Sequence, residues 1–251
     1  MEKIYQQKFR IRSYEVDARG HIQVATILNY FQEMASEHAG RLGASVVDLL
    51  PRHLTWMLSR YHLQFVSFPR WGETIQITTW SSGMRQLFAT REFEMTNAHQ
   101  EIVARATSSW MLLDLQKKRP VRPEDHFPNY PAELRRAIPD TFEALPTINN
   151  IDLVLPFHVR RSDLDLNQHV NHVAYIEWAM EALPPTLLQN HWPAAIEVAF
   201  RGEAFYGDKI LSRTQALKSE PQPTFVHQIV RESDSKELAV LRSQWQLMVK
   251  R

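Results

Sequence analysis

The chain has 251 residues, 44% hydrophobic and 23% charged, the composition of an ordinary globular protein, which excludes disorder, collagen-like repeats and low-complexity scaffolds. Its 29 Lys and Arg stand against 28 Asp and Glu, a net charge of +1, so no overall charge draws it to nucleic acid or to an anionic membrane. With no cysteine, disulfides, thiolate metal sites, iron–sulfur clusters and a cysteine nucleophile are excluded together.

In chain order, the N-terminal stretch MEKIYQQKFRIRSY reads as an alternating strand and holds no apolar run of the roughly seven residues a signal peptide needs. The longest apolar stretches, such as Trp110 to Leu113, fall far short of the roughly 20 residues that span a bilayer, and a soluble, cytoplasmic protein is expected. After a polar string at Asp17-Ala18-Arg19-Gly20-His21, the residues Val24, Ile27, Leu28, Phe31, Met34 and Ala35 recur at helical spacing and predict an amphipathic helix of about five turns. The runs YHLQFVSF, ETIQITTW, LFATREFEM and ATSSWMLLDL then predict strands, with Gly72 and Gly83 at turns. Six of the 14 prolines fall between residues 119 and 146, a composition that disfavours continuous helix or central strand. A second set of elements follows: a strand, the polar string Asp165-Leu166-Asn167-Gln168-His169, a helix, and the strand-like runs IEVAFRGEAF, KILSRTQAL, TFVHQIV and LAVLRSQWQLMV, with Gly207 at a turn.

The second set repeats the first. Slid by 148 positions, Phe9 to Glu33 lies over Phe157 to Glu181 without a gap, pairing Arg12 with Arg160, Asp17 with Asp165 and His21 with His169. At an offset of 135, Trp71-Gly72-Glu73 lies over Tyr206-Gly207-Asp208, and Ser108-Ser109-Trp110 over Ser243-Gln244-Trp245. An α+β fold is expected, with one long helix and an antiparallel sheet in each of two domains, residues 1–118 and 151–251, joined by a Pro-rich linker at 119–150.

His169 and His172 stand at metal-ligand spacing, but no HExxH motif or cysteine ligand set accompanies them, and no metal or cofactor is expected. The GxSxG elbow of serine hydrolases, the GxGxxG of dinucleotide sites and the P-loop are also missing from the sequence. The cluster Asp165-Leu166-Asn167-Gln168-His169 remains, placed between strand and helix. Asp, Asn and His there supply an acceptor, an amide donor and a proton carrier, and a helix N-terminus offers N–H groups to a developing oxyanion. The same residues also suit plain helix capping. The first copy keeps the Asp and the His but has Arg19 in place of the Asn, so a catalytic Asn would leave only the second copy active.

The strings RRSDLDLNQHVNHVAYIEW, PRWGETIQITTW, RQLFATREFE and ATSSWMLLDLQKKRPVRP resemble the acyl-acyl carrier protein thioesterases of bacteria and plastids, and the resemblance covers nearly the whole chain. It implies two fused hotdog domains and hydrolysis of the thioester between a fatty acid and the phosphopantetheine arm of acyl carrier protein, which ends chain elongation. The family's DxNxH motif falls on Asp165, Asn167 and His169, and its further acidic residue falls on Glu203 in FRGEA. Ala204 stands where many members have Cys, which favours hydrolysis by water, with Glu203 or Asp165 as its base and a covalent carboxylate intermediate left open. On this resemblance Asn167 and the helix N-terminus polarise the carbonyl, and His169 passes a proton to the leaving thiolate. Glu203 also reads as an ordinary strand-end carboxylate. Phe31 and Met34 on the first helix are candidate walls for the acyl chain, or plain core.

The acidic carrier would meet arginines, which outnumber lysines 21 to 8, with Arg160-Arg161 and Arg135-Arg136 as candidates. An acyl-CoA thioesterase and a non-catalytic acyl-binding protein are the alternatives, and a homodimer of the full chain stays open.

Overall fold

The computed structural model describes residues 2–218 and 222–248. The chain divides into two compact units, Met1–Thr141 and Phe142–Arg251.

In the first unit, β1 (Ile4–Arg10) leads through a single 3-10 turn to α1 (Val24–Arg41) and the short α2 (Val46–Leu49). The long strands β2 (Leu54–Phe65), β3 (Thr74–Arg85), β4 (Phe88–Thr96) and β5 (Ile102–Asp114) follow, then the short β6 (Arg119–Val121) and α3 (Pro123–His126). Every pairing is antiparallel, in the order β1-β3-β4-β5-β2, with β6 against β5.

The 18 residues of α1 make the five turns expected, and the stripe Ile27, Leu28, Phe31 and Met34 is buried, extended one turn further by the buried His38. The helix stops where Gly43 takes a φ of 67°, which lets the Ala44 N–H return to the Ala39 carbonyl at 2.9 Å. The Phe31 ring stacks on Phe93 of β4 with centroids 4.8 Å apart, so the helix seals one face of the sheet.

Two expectations change here. Gly83 lies inside β3, where the register against β4 shifts between Ser81 and Gly83, and is a bulge residue; the hairpin turns instead at Gln86-Leu87. Residues 119–141 fold with the first unit. Trp80 Nε1 donates to the Arg135 carbonyl at 2.7 Å, and the wholly buried Glu92 takes Arg136 Nε at 2.8 Å and the Ala137 N–H at 3.0 Å. Past α3 the proline-rich chain to residue 141 forms neither helix nor strand, yet it still satisfies buried polar groups of the sheet.

The second unit contains β7 (Leu153–His158), α4 (His172–Glu181), α5 (Pro185–Asn190), β8 (His191–Phe200), β9 (Lys209–Lys218), β10 (Thr224–Arg231) and β11 (Glu237–Leu247). Its antiparallel order, β7-β9-β10-β11-β8, is that of the first unit strand for strand. Matching aromatic pairs tie strand to helix in both units: Phe9 stacks on Tyr30 at 4.5 Å, and Phe157 on Trp178 at 6.0 Å. At ten residues α4 is the shorter helix, and Pro184-Pro185 prevent its continuation. Where α1 presents Phe31, the second unit places a polar line on its sheet: Thr214 Oγ1, His227 and Ser243 Oγ, joined through the two ring nitrogens at 2.9 Å each, with Trp245 Nε1 donating to Ser243 at 3.0 Å. Among the described residues no helix is long and apolar enough to cross a membrane.

Candidate active site

The string Asp165 to His169 folds as a tight turn closed by the Leu164–Val170 bridge. Asp165 Oδ1 accepts the backbone N–H groups of Asn167 at 2.8 Å and His169 at 3.3 Å, while the Asp165 N–H reaches the His169 carbonyl at 2.8 Å. The first unit builds the same turn. Asp17 Oδ1 accepts from Arg19 N at 2.9 Å and His21 N at 3.0 Å, and the Asp17 N–H reaches His21 O at 2.7 Å. Burial works against the Asp17 carboxylate, and the N–H groups of His21 and Arg19 outweigh it, holding its pKa below the usual range. The aspartate is thus the turn-former in both copies.

What differs between the copies is what the turn presents. In the first unit His21 Nδ1 lies 2.7 Å from the Phe68 carbonyl oxygen. Position 68 corresponds to 203 at the offset of 135, and in the second unit His169 Nδ1 lies 3.3 Å from Glu203 Oε1. A backbone acceptor in one copy becomes a carboxylate in the other. The side chains of His169 and Glu203 are 36% and 48% exposed, so a substrate can reach the pair from solvent. The Phe205 ring meets the imidazole edge-on at 5.1 Å, an apolar neighbour that sequence reasoning passed over.

The two asparagines separate cleanly. Asn171 is the helix cap, its Oδ1 accepting the Val173 N–H at 3.0 Å, so one of the free N–H groups at the start of α4 is already taken. Asn167 lies in the turn upstream, exposed, with no side-chain hydrogen bond among the described residues. Its counterpart Arg19 folds back onto Asp17, Nε to Oδ2 at 2.8 Å. Gln168 holds a φ of 63° where the first copy has Gly20 at 80°, so the second turn keeps a left-handed residue that costs about 1 kcal/mol over glycine.

The remaining candidates go elsewhere. His172 does not join His169: its partly buried ring lies edge-on to Phe200 at 6.1 Å, and desolvation lowers its pKa to about 4. Phe31 and Met34 are wholly buried in the first unit. Arg135 pairs with Glu94 at 2.6 Å and lies 3.9 Å over the Trp80 ring, and Arg136 pairs with buried Glu92, so both hold their own unit together. Arg160 is bound to Asp163 at 2.7 Å, as Arg12 faces Glu15 in the first copy. Arg161 instead lies 4.2 Å over the exposed Tyr206 ring.

The chain matches the models of the acyl-ACP thioesterase N-terminal domain over residues 2–129 and of the C-terminal domain over residues 149–247. It is 30% identical over 228 residues to oleoyl-acyl carrier protein thioesterase 2, chloroplastic, of Arabidopsis thaliana, covering 84% of this chain and 62% of that protein. It is 28% identical over 269 residues to palmitoyl-acyl carrier protein thioesterase, chloroplastic, of Gossypium hirsutum, covering 96% of this chain and 63% of the relative. The chain therefore spans less than two thirds of the length of these relatives. Two solved structures share the whole fold: the 12:0-ACP thioesterase from Umbellularia californica, with a TM-score of 0.88 at 22% identity over 99% of both chains, and an acyl-ACP thioesterase from Bacteroides thetaiotaomicron, with a TM-score of 0.86 at 23% identity over 97% of this chain and 98% of that one. With both of its domains matched in order and each built as a helix against an antiparallel sheet, the chain belongs to the acyl-ACP thioesterase family and is a tandem hotdog protein.

Proposed function

We propose that this chain hydrolyses the thioester of fatty acyl-acyl carrier protein, releasing free fatty acid and ending chain elongation. The observation that carries the reading is the His169–Glu203 pair, present in the second unit and replaced by a backbone acceptor in the first. Family membership and the names of the relatives support the choice of substrate.

In this mechanism Glu203 is the base, since the Oδ1 of Asp165 is spent on the turn in the manner of Asp17. Glu203 takes a proton from water, whose oxygen attacks the thioester carbonyl carbon. The Asn167 amide, which has no partner within the turn, donates to the developing oxyanion. As the tetrahedral species collapses the C–S bond breaks, the leaving thiolate takes a proton from His169, and Glu203 returns the proton it took from water to His169 across their 3.3 Å contact, which restores both groups. Phe31 and Met34 on α1 belong to the proposed apolar wall for the acyl chain. Arg161, with no carboxylate against it among the described residues, is the proposed contact for the anionic carrier.

The test is thiol release from matched acyl carrier protein and CoA thioesters from C8 to C18, followed with a disulfide dye to which a cysteine-free protein adds no background. Faster release from the carrier thioesters, lost in Asn167→Ala, is the expected result. Faster release from CoA reassigns the substrate, and acyl binding without release from either carrier overturns the enzymatic reading.

A further inference from the structure

Glu203 lies in neither helix nor strand, in the segment between β8 and β9, and half of its side chain is open to solvent. An exposed carboxylate on a connecting segment has no reason of its own to stay beside His169. The backbone around it is nonetheless bound on both sides. The Tyr175 hydroxyl on α4 accepts the Ala204 N–H at 3.0 Å and donates to the Gly202 carbonyl oxygen at 3.4 Å. Tyr175 is 3% exposed, so this hydroxyl works inside the helix–sheet core.

The first unit shows that the hotdog turn does not itself require this arrangement. There Phe68 stands for Glu203, Pro69 for Ala204 and Ile27 for Tyr175. Pro69 has no N–H to satisfy, and Ile27 has no hydroxyl to satisfy it. Phe68 is held by burial, 7% exposed and stacked on Phe65 at 5.3 Å. Both copies keep the next contact inward, Ile22 N to Pro69 O at 2.9 Å and Val170 N to Ala204 O at 3.0 Å. The three exchanges therefore go together: where the side chain became a carboxylate that burial cannot hold, the following residue has an N–H and the helix has a hydroxyl to take it.

We infer that Tyr175 is a positioning residue that aims Glu203 at His169 by binding the backbone on either side of it. The inference rests on the hydrolytic reading above for its effect on rate, and on geometry alone for its effect on the His169–Glu203 contact.

Tyr175→Phe keeps the ring and its packing and removes only the hydroxyl. It is measured alone and in the Glu203→Gln background, by saturation kinetics on acyl carrier protein thioesters, by thermal melting and by the ring resonances of His169. The expected result is a kcat lower by on the order of tenfold to a hundredfold with KM little changed, because a misplaced base impairs the chemical step and leaves binding alone. In the Glu203→Gln background the same substitution costs no further rate. The His169 resonances move in Tyr175→Phe in the direction they move in Glu203→Gln. Equal fractional losses in both backgrounds with His169 unmoved overturn the inference and leave Tyr175 a core residue. If the native protein releases no thiol from any carrier, the hydrolytic reading falls, and the His169 resonances by themselves decide whether Tyr175 positions Glu203.

Discussion

Glu203 Oε1 lies 3.3 Å from His169 Nδ1, and the position equivalent to Glu203 in the first unit is Phe68, whose carbonyl oxygen receives His21 Nδ1 at 2.7 Å. One turn, repeated, thus sets an imidazole against a carboxylate in one copy and against the peptide backbone in the other. Only the former can move a proton to or from water.

Replacing Glu203 by Gln keeps shape and hydrogen bonding but removes the base. A fall in kcat of about 10²- to 10⁴-fold with little change in KM is expected. His21→Gln in the first unit should leave the rate within a factor of about two, since its partner is a carbonyl that takes no proton in this range. Steady-state kinetics on the two variants check this, and a matching loss in both would remove the assignment of roles between the copies.

The aspartates make a different prediction. Asp17→Ala and Asp165→Ala each remove an oxygen that accepts two backbone N–H groups. Each should cost stability, about 1–2 kcal/mol by denaturant titration. Only Asp165→Ala should also slow hydrolysis, because its turn presents His169 and Asn167. A stability loss confined to one of the two would mean that they are not the same structural device.

Three histidines, His38, His172 and His227, are shifted by desolvation in the direction that weakens the fold in acid. Desolvation lowers the pKa of His227 to about 3 and that of His172 to about 4, both below the 6.5 of an exposed ring. Between those values the unfolded chain binds more protons than the native one. Stability is therefore full above pH 6.5 and falls as the pH drops toward 4, with a slope of about 1.4 kcal/mol per pH unit for each fully titrating group. His227→Phe copies Phe93, which pairs with Thr79 as His227 pairs with Thr214. It should flatten this limb, measured by denaturant unfolding from pH 4 to 7. An unchanged slope would show that His227 does not contribute.

The arginines divide by what they touch. Arg136→Leu leaves Glu92, which is 0% exposed, without its cation, and should destabilise by about 3 kcal/mol, at the low end because Arg136 is itself 31% exposed. KM for carrier thioesters should not change beyond that expected from the folded fraction. Arg161→Glu reverses a surface charge and should do the opposite, raising KM for acyl-carrier substrates more than for acyl-CoA while leaving the melting temperature nearly alone. A comparison of KM on the two carriers with melting curves for both variants settles which arginine meets the carrier.

The sequence alone determined everything that depends on short-range periodicity. The stripe of α1, the alternating strands and the two superimposable turns follow from spacings of two to four residues, and the repeat carried the pattern from one unit to the other. It also offered candidate residues for the site by resemblance. What it left open were the roles that depend on partners distant in the chain. Asp165 and Glu203 read alike as carboxylates, and only the hydrogen bonds of the folded turn make the first a scaffold and leave the second beside His169, 34 positions away. Arg135-Arg136 read as candidate contacts for the carrier until β3 and β4 supplied Trp80, Glu94 and Glu92. Gly83 read as a turn, but the register of a strand is a property of both partners and placed a bulge there. The physical reason is common to all three: backbone preference is set by neighbouring residues, whereas the acceptor that a buried or half-buried polar group finds is set by strand order and register, which close only when the sheet forms.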